Sequence, residues 1–527
     1  MLLFSYIYCI IGLRMKILER ILFMKPFFLF TNEETETKVS NRRLLSHSLG
    51  LVGQNMAYSF LGRLFVYLNT VLGIPAAKTG IITGVSTLWD ALNDPLVGSL
   101  MDHRRHKPGY KLRPFLLWTP PLIGIFITLM FVDLGLSEGQ TIAYVMILYV
   151  LFDTLYSFQD TAIWGISSLS SPDSNERRRV IQWISIAAGA GGTIAGLFPV
   201  FKDLCVNSAK MSEKNAYLLF AVIFGFGGMM MAMLAYRMKE KVIDTAGDRS
   251  AEKGIESLKA MLKTIWNLRY NRTLIIICLA RIAQSFSLTL AWEYFFQSEG
   301  IVYHLFGAEI GGDMAMTFYG YVMGIPGAIL NFFAVPVINK LGSNKRLLVL
   351  AEASNIAARL IAFAVGSNER YKNISALLIT MALIGSSQIL TNMKAIAERS
   401  LLTNAVDEME LKTGERTEGI TFSMQNFVSK LTGAIPKFIQ GTMLSFMGFK
   451  EKIKGPDGEY LQGAALVNAQ TSKKFLKYRW HQFILGPAIG AALYLIVILF
   501  LKDDPAHTAE VERQLQAKRA AAEITAE

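Results

Sequence analysis

The sequence predicts an all-α membrane protein with about twelve transmembrane helices in two six-helix bundles. Three observations lead to this prediction. Of the 527 residues, 52% are hydrophobic and only 18% are charged. Apolar runs of about 20 residues recur along most of the chain, and a helix of that length crosses a bilayer with every backbone amide satisfied internally. One long charged connection, residues 238–272, separates these runs into two sets of about six.

Less apolar segments bound the two bundles. Residues 1–44 form an N-terminal extension with basic residues among its apolar stretches, which is typical of an interfacial helix or a disordered segment. The first bundle is predicted at residues 45–237 and the second at residues 273–501, with a cytoplasmic tail at residues 502–527. This plan resembles the major facilitator fold. The spans are predicted at residues 45–73, 77–101, 114–134, 140–168, 179–201, 215–237, 273–297, 313–337, 346–366, 373–399, 418–447 and 479–501.

The formal net charge of +12 reflects Lys and Arg residues that cluster in loops on one side of the predicted spans. By the positive-inside rule that side is cytoplasmic, and both termini fall on it. These residues would contact lipid headgroups, so the basic balance does not indicate a nucleic-acid partner. We therefore predict a multi-pass monomer in the lipid bilayer of the cell (inner) membrane, with both termini cytoplasmic.

The motifs disfavour an enzyme. The cysteines Cys9, Cys205 and Cys278 are scattered and show neither a disulfide framework nor metal-ligand spacing. The glycine-rich stretch 187–196 follows no strand and lies in an apolar span, so it indicates close helix packing rather than a phosphate-binding loop. Neither a His-Glu-x-x-His motif nor a Ser/His/Asp set at a plausible depth occurs. We expect no cofactor other than a coupling ion.

The strongest functional feature is a pair of acids in the second span. Asp90 and Asp94 are four residues apart and share a helix face, with Asn93 beside them. An ionised acid at membrane depth costs about 2.5–3.5 kcal/mol on insertion scales, so the pair needs a proton, a bound cation or a basic partner. These oxygen donors favour a site for Na⁺ or H⁺, to which Ser157 of the fourth span could add a hydroxyl. The alternative is a structural salt bridge to a distant Lys or Arg.

The fourth span carries a second polar stripe. Asp153, Ser157, Asp160 and Trp164 follow one another at spacings of four, three and four residues. A carboxylate accepts hydrogen bonds from hydroxyl groups and an aromatic ring covers the apolar face of a sugar, so Asp160 and Trp164 suit a polyhydroxylated ligand. An interhelical ion pair beside a structural Trp would explain the same stripe.

Basic residues also lie within apolar spans. Lys430 of the eleventh span has three open roles: to balance the acids of the second span when no cation is bound, to touch the ligand, or to form a plain ion pair with Asp153 or Asp160. Charged residues of the seventh and ninth spans are interpreted as structural pairs: Arg281, Glu293, Glu352 and Arg359.

Three stretches in chain order carry a resemblance to a known family: Trp89-Asp-Ala-Leu-Asn-Asp-Pro-Leu-Val-Gly98, Asp160-x-x-x-Trp164 and the segment from Ala405 to Lys430. Together they resemble the glycoside–pentoside–hexuronide (GPH):cation symporter family of the major facilitator superfamily. The resemblance covers roughly residues 45–500.

The resemblance implies two neighbouring sites. In that family the coupling cation is bound by acids and an Asn of the second span and a hydroxyl of the fourth; the matching residues are Asp90, Asn93, Asp94 and Ser157. The first three would be the ligands of Na⁺ if the ion is sodium. The family's substrate site uses a fourth-span Asp and Trp and an eleventh-span Lys, which correspond to Asp160, Trp164 and Lys430. The family's first-span Lys-Asp pair is replaced here by Gln54 and Asn55, and its fifth-span Arg by Gln182. These replacements argue against a galactoside as substrate.

The sequence therefore predicts a secondary-active symporter that couples the influx of Na⁺ or H⁺ to the uptake of a sugar or glycoside by alternating access. Two alternatives stay open. One is a cation-coupled carrier of a lysolipid or another solute with the same fold, and the other is a membrane sensor that binds its ligand without transport.

Overall fold

The structure, a computed structural model, describes residues 34–103, 107, 109–241, 271–298, 301–305, 307–330, 333–413, 418–504, 506–508, 510–511, 513–514 and 517. These residues form twelve helical spans, six in each half of the chain, as the sequence predicts. The N-terminal extension up to residue 33 and most of the charged connection between the halves lie outside the described residues.

Spans 1 to 6 make up the first half. Several of them are continued by short helical segments, including π-helical turns that add a residue to a turn. In order they are Asn41–Leu61 with Leu64–Val66 and Tyr67–Val71; Ala76–His103; Phe115–Met130; Glu138–Leu169; Ser174–Gly196 with Phe198–Asp203 and Leu204–Ser208; and Glu213–Phe220 with Ala221–Phe226, Gly227–Ala232 and Met233–Arg237.

Spans 7 to 12 make up the second half. In order they are Arg272–Ser285 with Glu293–Phe296; Gly312–Leu330 with Ala334–Leu341; Asn344–Gly366; Ile374–Thr413; Glu418–Phe446; and Lys473–Ile498. The connections after odd-numbered spans lie at one end of the molecule, which we call the far end, and the described parts of the chain termini lie at the near end. The far-end connections contain the antiparallel strands β1 (Tyr303–Leu305) and β2 (Ala308–Ile310), a 3₁₀ turn at Arg370–Lys372 and a short helix at Gly463–Asn468.

Six spans are long and apolar enough, among the described residues, to cross a membrane by length and composition alone: Glu138–Ser167, Arg179–Ser208, Glu213–Arg237, Asn344–Gly366, Ile374–Glu408 and Lys473–Ile498. Span 3 is apolar but shorter. Spans 1, 2, 7 and 11 carry the polar side chains described below. Their lower hydropathy is what a helix shows when one of its faces lines a polar path.

Span 7 is broken, whereas the sequence predicted one continuous helix. Its first helix ends at Ser285 and helical structure resumes at Glu293. The intervening backbone packs on span 12, where a Cβ added at Gly486 would lie 2.0 Å from the carbonyl oxygen of Leu288. Ser287 donates a hydrogen bond to the Gly486 carbonyl at 3.2 Å. Non-helical backbone is tolerated at membrane depth where protein surrounds it, which accounts for the break.

Each half has its own apolar core, and one further cluster joins the halves. Phe60, Tyr67 and Phe152 belong to the core of the first half, and Leu347 and Tyr494 belong to that of the second. The joining cluster lies at the far end and draws on both halves: Phe65, Val66, Ala76, Tyr294, Leu444, Met447, Phe449, Val467 and Phe475. The two halves therefore share buried apolar surface at the far end.

Spans 2 and 11 form a close contact between the halves. A Cβ added at Gly84 would lie 2.4 Å from the ring of Phe438, and one added at Gly80 would lie 2.7 Å from the carbonyl oxygen of Lys437. Small residues of this kind allow two helix backbones to approach. The approach brings Lys430 and Lys437 against the polar face of span 2.

Candidate functional site

The acids predicted on span 2 lie beside polar groups of span 4. The Ser157 hydroxyl donates to Asp94 Oδ1 at 2.8 Å, with the carbonyl oxygen of Asp153 as an alternative acceptor at 3.1 Å. The Asn93 amide nitrogen donates to Ser157 Oγ at 3.0 Å. The structure thus brings three of the predicted cation ligands into mutual contact. The fourth, Asp90, lies one helical turn away on the same face.

Lys430 of span 11 bridges the two acids. Its ammonium donates to Asp90 Oδ1 at 3.1 Å and forms an ion pair with Asp94 Oδ2. Of the three roles open at Lys430, these contacts support the balancing of the acid pair. The side chains of Lys430 and Asp94 are 33% and 37% exposed, so the bridge can be reached from water and is not sealed in protein.

A second lysine crosses between the halves closer to the far end. The Lys437 ammonium donates to Thr87 Oγ1 of span 2 at 2.5 Å. Asp153 of span 4 is buried, and its Oδ2 has no hydrogen-bond partner among the described residues. The Asn93 amide nitrogen of span 2 donates to the carbonyl oxygen of Asp153 at 3.4 Å. Asp153 therefore belongs to the same polar layer as the acid pair.

Asp160 faces span 1. Gln54 Nε2 donates to Asp160 Oδ1 at 2.7 Å and lies 3.4 Å from Tyr156 Oη. Gln159 Nε2 donates to Gln54 Oε1 at 3.3 Å, and Thr119 Oγ1 of span 3 donates to Gln159 Oε1 at 2.7 Å. This chain of hydrogen bonds fixes the orientation of Gln54, and Gln54 in turn holds the carboxylate of Asp160.

Three other predicted substrate-site residues lie apart from this network. Asn55 donates to the carbonyl of Leu51 in its own helix at 3.0 Å. Trp164 is partly buried and packs against a second apolar cluster of the first half, which includes Val97 and Phe115. Gln182 is exposed on span 5, one turn from Ser185. The structure joins Gln54 to Asp160 and leaves these three side chains outside.

Three residues of the network around Gln54 were not predicted from the sequence: Gln159, Thr119 and Tyr156. Of these, Gln159 could have been predicted from the sequence, because it is an amide directly before Asp160 in an apolar span. In the structure it is fully buried. Thr119 and Tyr156 are ordinary residues of apolar helices, and their role depends on how spans 1, 3 and 4 pack.

A cavity of about 760 Å³ separates spans 5 and 8. Small residues line it from both sides, among them Ser185 and Gly189 of span 5 and Gly320 of span 8. The two spans meet where the Tyr321 hydroxyl donates to the carbonyl oxygen of Thr193 at 2.8 Å. The contact between spans 5 and 8 therefore contains a cavity, whereas spans 2 and 11 are in close contact.

Ion pairs join the halves at the far end. Arg63 of span 1 pairs with Glu293 of span 7. Lys202 of span 5 is buried between Glu213 of span 6, at 3.2 Å, and Asp313 of span 8, at 3.1 Å. Glu293 was interpreted as a member of a structural pair, and its partner proves to lie in the other half. These contacts, with the shared apolar cluster, close the far end.

Charged residues of spans 7, 9 and 10 find partners within the second half. Glu352 forms an ion pair with Lys394, and Arg281 forms one with Glu398. Arg359 hydrogen-bonds within its own span and to the backbone of span 12. Arg281 and Glu352 thus lie in ion pairs, as interpreted from the sequence, whereas the described contacts of Arg359 are to an amide and a backbone carbonyl. The partners Lys394 and Glu398, four residues apart on span 10, were missed.

The chain matches the family described as "MFS/sugar transport protein" over residues 46–513. It is 27% identical over 474 residues to the uncharacterized symporter YjmB of Bacillus subtilis (strain 168), which covers 89% of this chain and 93% of that protein. It is 23% identical over 446 residues to the raffinose carrier protein of Pediococcus pentosaceus, which covers 79% of this chain and 64% of that protein.

Among solved structures, the fold is similar to that of a bacterial homologue of the human lysosomal transporter Spinster in an inward-facing and occupied conformation. The TM-score is 0.57 at 13% identity, over 89% of this chain and 96% of that chain. At this level of identity the similarity concerns the fold alone. The predicted fold of two six-helix bundles is confirmed.

Proposed function

This chain belongs to the MFS/sugar transport protein family, and we propose that it is a secondary-active symporter in which the influx of Na⁺ or H⁺ drives the uptake of a sugar or glycoside. Family membership makes it a membrane transporter and not an enzyme. The observation that carries the proposal is the bridge of Lys430 to Asp90 and Asp94. In this bridge the ammonium of one half holds two acids of the other half, where a coupling ion needs its ligands.

A coupling ion would compete with Lys430 for the two acids. Two carboxylates and one ammonium leave one negative charge, so the site attracts a further cation. When Na⁺ or H⁺ binds Asp90 and Asp94, the attraction that holds Lys430 falls. Because Lys430 belongs to the second half, ion binding changes the contact between the halves and frees an ammonium for a solute. Binding of the ion and binding of the solute are then linked reciprocally.

The solute site is proposed beside Asp160. The carboxylate accepts hydrogen bonds from sugar hydroxyls, and the amide of Gln54 offers both a donor and an acceptor. Gln54 is held by Gln159, so its amide keeps one orientation. The relative named as a raffinose carrier supports a sugar as solute, and the relative named as a symporter supports coupling to an ion.

Alternating access is supported by the asymmetry between the two ends. The halves are joined at the far end by ion pairs and by apolar contacts. With the near end cytoplasmic, as the positive-inside rule predicts, the structure corresponds to a carrier closed to the outside. Both termini would then lie in the cytoplasm of a cell with this protein in its inner membrane.

The gradient available to such a carrier is sufficient for accumulation. One positive charge moving down a membrane potential of 100 mV releases about 2.3 kcal/mol. At about 1.4 kcal/mol for each factor of ten, this supports roughly fortyfold accumulation of a neutral solute.

The test is uptake into proteoliposomes. Labelled raffinose, lactose and methyl glucosides are offered under an inward Na⁺ gradient, an inward proton gradient, or neither. We expect uptake above equilibrium with at least one solute and one gradient. Asp94→Cys should abolish the effect of the gradient while the protein remains monodisperse. Glu369→Gln, which removes an exposed acid at the far end, is the matched control and should transport like the wild type.

Uphill uptake by Asp94→Cys would contradict the proposal. Uptake of lysolipid but of none of the sugars would favour the lipid carrier. Ligand binding with no flux under any gradient would favour a sensor.

A further inference from the structure

The break in span 7 borders a cavity between the halves. The cavity has a volume of about 350 Å³ and is lined by Ser59 and Arg63 of span 1, by the non-helical backbone at residues 289–291, and by Gln440 of span 11. Its volume falls within the range of about 300–1,000 Å³ that is usual for small-molecule sites. Broken helices form solute sites in carriers because their freed backbone groups line a cavity. The cavity is therefore a candidate binding site outside the network around Gln54.

Polar groups of this cavity have unused hydrogen-bonding capacity. The Gln440 amide nitrogen is buried and has no hydrogen-bond partner among the described residues. Arg63 pairs with Glu293 through one nitrogen of its guanidinium, which carries five N–H donors in all. The backbone amides of Thr289 and Leu290 donate to no backbone carbonyl in the part of the chain that the structure describes. Buried donors without acceptors cost free energy, so this cavity favours a ligand rich in hydroxyl groups.

Trp292 adds an aromatic surface, and the cavities show where it faces. It lines both this cavity and the larger one between spans 5 and 8. Its ring packs edge-on against Tyr319, with centroids 5.0 Å apart and an interplanar angle of 87°. Gly320 makes room for the ring, because a Cβ there would lie 3.2 Å from it. The residue is 40% exposed, so the ring offers the space between the halves an apolar face of the kind on which a pyranose packs.

The two cavities connect this surface with the proposed solute site. They share Arg63 and Trp292 as lining residues. Span 5, which lines the larger cavity, packs on span 1 at the level of Gln54, since a Cβ added at Gly191 would lie 2.2 Å from the carbonyl oxygen of Val52. Arg63 follows Gln54 by nine residues, which is about 13 Å along a helix. This separation exceeds the size of one sugar ring and suits a solute with more than one.

We propose that the cavity at the break of span 7 is a second carbohydrate subsite, in which a sugar ring packs on Trp292 and its hydroxyls reach Gln440 and Arg63. This inference rests on the proposed function and specifies the solute as an oligosaccharide, with one ring beside Asp160 and another in this subsite. It adds to the site beside Asp160 and leaves the predicted role of Trp164 there unchanged. Because spans 1, 7 and 11 all line the subsite, the second ring contacts both halves.

The experiment compares solutes of different length on the purified full chain in saturating NaCl. The probes are the methyl glycosides of glucose, galactose and xylose, and oligosaccharides that end in the same rings: maltose, maltotriose, lactose, raffinose and xylobiose. Calorimetry gives each Kd. The wild type should bind at least one oligosaccharide about tenfold more tightly than the matching methyl glycoside. Trp292→Leu should remove this gain and leave the affinities for the methyl glycoside and for Na⁺ unchanged, and Trp292→Phe, which keeps a ring, should retain most of it.

Trp118→Leu is the matched control. Trp118 is exposed to a similar extent, 43%, and lines neither cavity, so its replacement should leave every Kd unchanged. Gln440→Leu removes the unpartnered amide and should raise the Kd of the oligosaccharide about threefold or more. This variant decides the question if Trp292→Leu does not fold.

The inference is overturned if Trp292→Leu and Gln440→Leu bind the oligosaccharide like the wild type, or if they weaken the binding of the methyl glycoside to the same extent. It is also overturned if the wild type binds both lengths of solute equally. In these cases the wild type still transports a sugar, so the proposed function stands. If the wild type binds and transports no sugar of either length, the proposed function fails and the subsite fails with it.

Discussion

Lys430 contacts two acids at once, so removing its charge changes both the stability of the acid pair and the binding of a cation to it. The acids lose the ammonium that balances them, and the proposed coupling ion would lose its competitor. A charge-assisted hydrogen bond contributes about 1.5–3 kcal/mol, enough to change an ion affinity by about tenfold.

For Lys430→Gln we therefore expect Na⁺ to bind about tenfold more tightly, while ion-driven sugar uptake is lost. Calorimetric titration of Na⁺ measures the first effect and proteoliposome uptake the second. Lys437→Gln, whose ammonium contacts Thr87, is the control and should change the Na⁺ affinity far less. Weaker Na⁺ binding by Lys430→Gln would refute the competition.

Gln54 is a second residue whose substitution should have a measurable effect on stability and on sugar binding. It is fully buried, and its removal leaves Asp160 and Gln159 without the partner they share. Gln54→Leu should lower the free energy of unfolding by about 1–3 kcal/mol for each group left unpaired and should weaken sugar binding. The adjacent Asn55→Leu removes a bond within one helix and should do neither. Denaturant titration and calorimetry separate the two variants, and equal losses in both would argue against the network.

The elements could be predicted from the sequence because each depends on local composition. Apolar runs of about 20 residues, separated by charged loops, fixed the number and order of the spans. The break in span 7 could not be predicted, because it depends on Gly486 of span 12, some two hundred residues away in the chain. The tight seam between spans 2 and 11 likewise depends on glycines whose effect appears only when the two helices meet.

At the scale of elements, the close contact between spans 2 and 11 should be sensitive to a single added methyl group. Gly80→Ala places a Cβ 2.7 Å from the carbonyl oxygen of Lys437, so spans 2 and 11 must move apart. Sugar uptake should fall about tenfold or more, because the bridge from Lys430 to the acids is displaced. Gly139→Ala, where a Cβ meets nothing within 4 Å, is the control and should keep normal uptake. Full uptake by Gly80→Ala would show that the seam tolerates separation.

Across the whole molecule, the sequence indicated which residues could form the candidate site but not which of them contact one another. The acids of span 2, Ser157 and Lys430 are recognisable because charges and hydroxyls are rare in apolar spans. That Lys430 meets Asp90, 340 residues earlier in the chain, depends on how the halves dock. The pairing of Gln54 with Asp160 and the partial burial of Trp164 depend on the same packing. Local patterns do not contain that information.

The closure of the far end predicts a conformational effect of Lys202. Lys202→Met leaves Glu213 and Asp313 buried without their shared ammonium, which costs about 3–5 kcal/mol and should open the far end. A cysteine introduced at Gln440, beside Arg63 and Glu293, reports the opening. In a background without the three native cysteines, a membrane-impermeant thiol reagent applied from the far side should label it faster. Lys372→Met, which breaks a far-end pair within one half, should leave the labelling rate unchanged.

The apolar cluster shared by the two halves has a thermal consequence. Attraction between apolar surfaces near room temperature is entropic and weakens on cooling, with a large heat-capacity change on exposure. In the structure this cluster is buried between the two halves, and separating the halves at the far end would expose it. Chilling should therefore tilt the resting population of carriers toward the opposite orientation, even before any ion or solute binds. The temperature dependence of that equilibrium should curve. The curvature should diminish when Phe449, whose ring packs on those of Tyr294 and Phe475, is shortened to Ala.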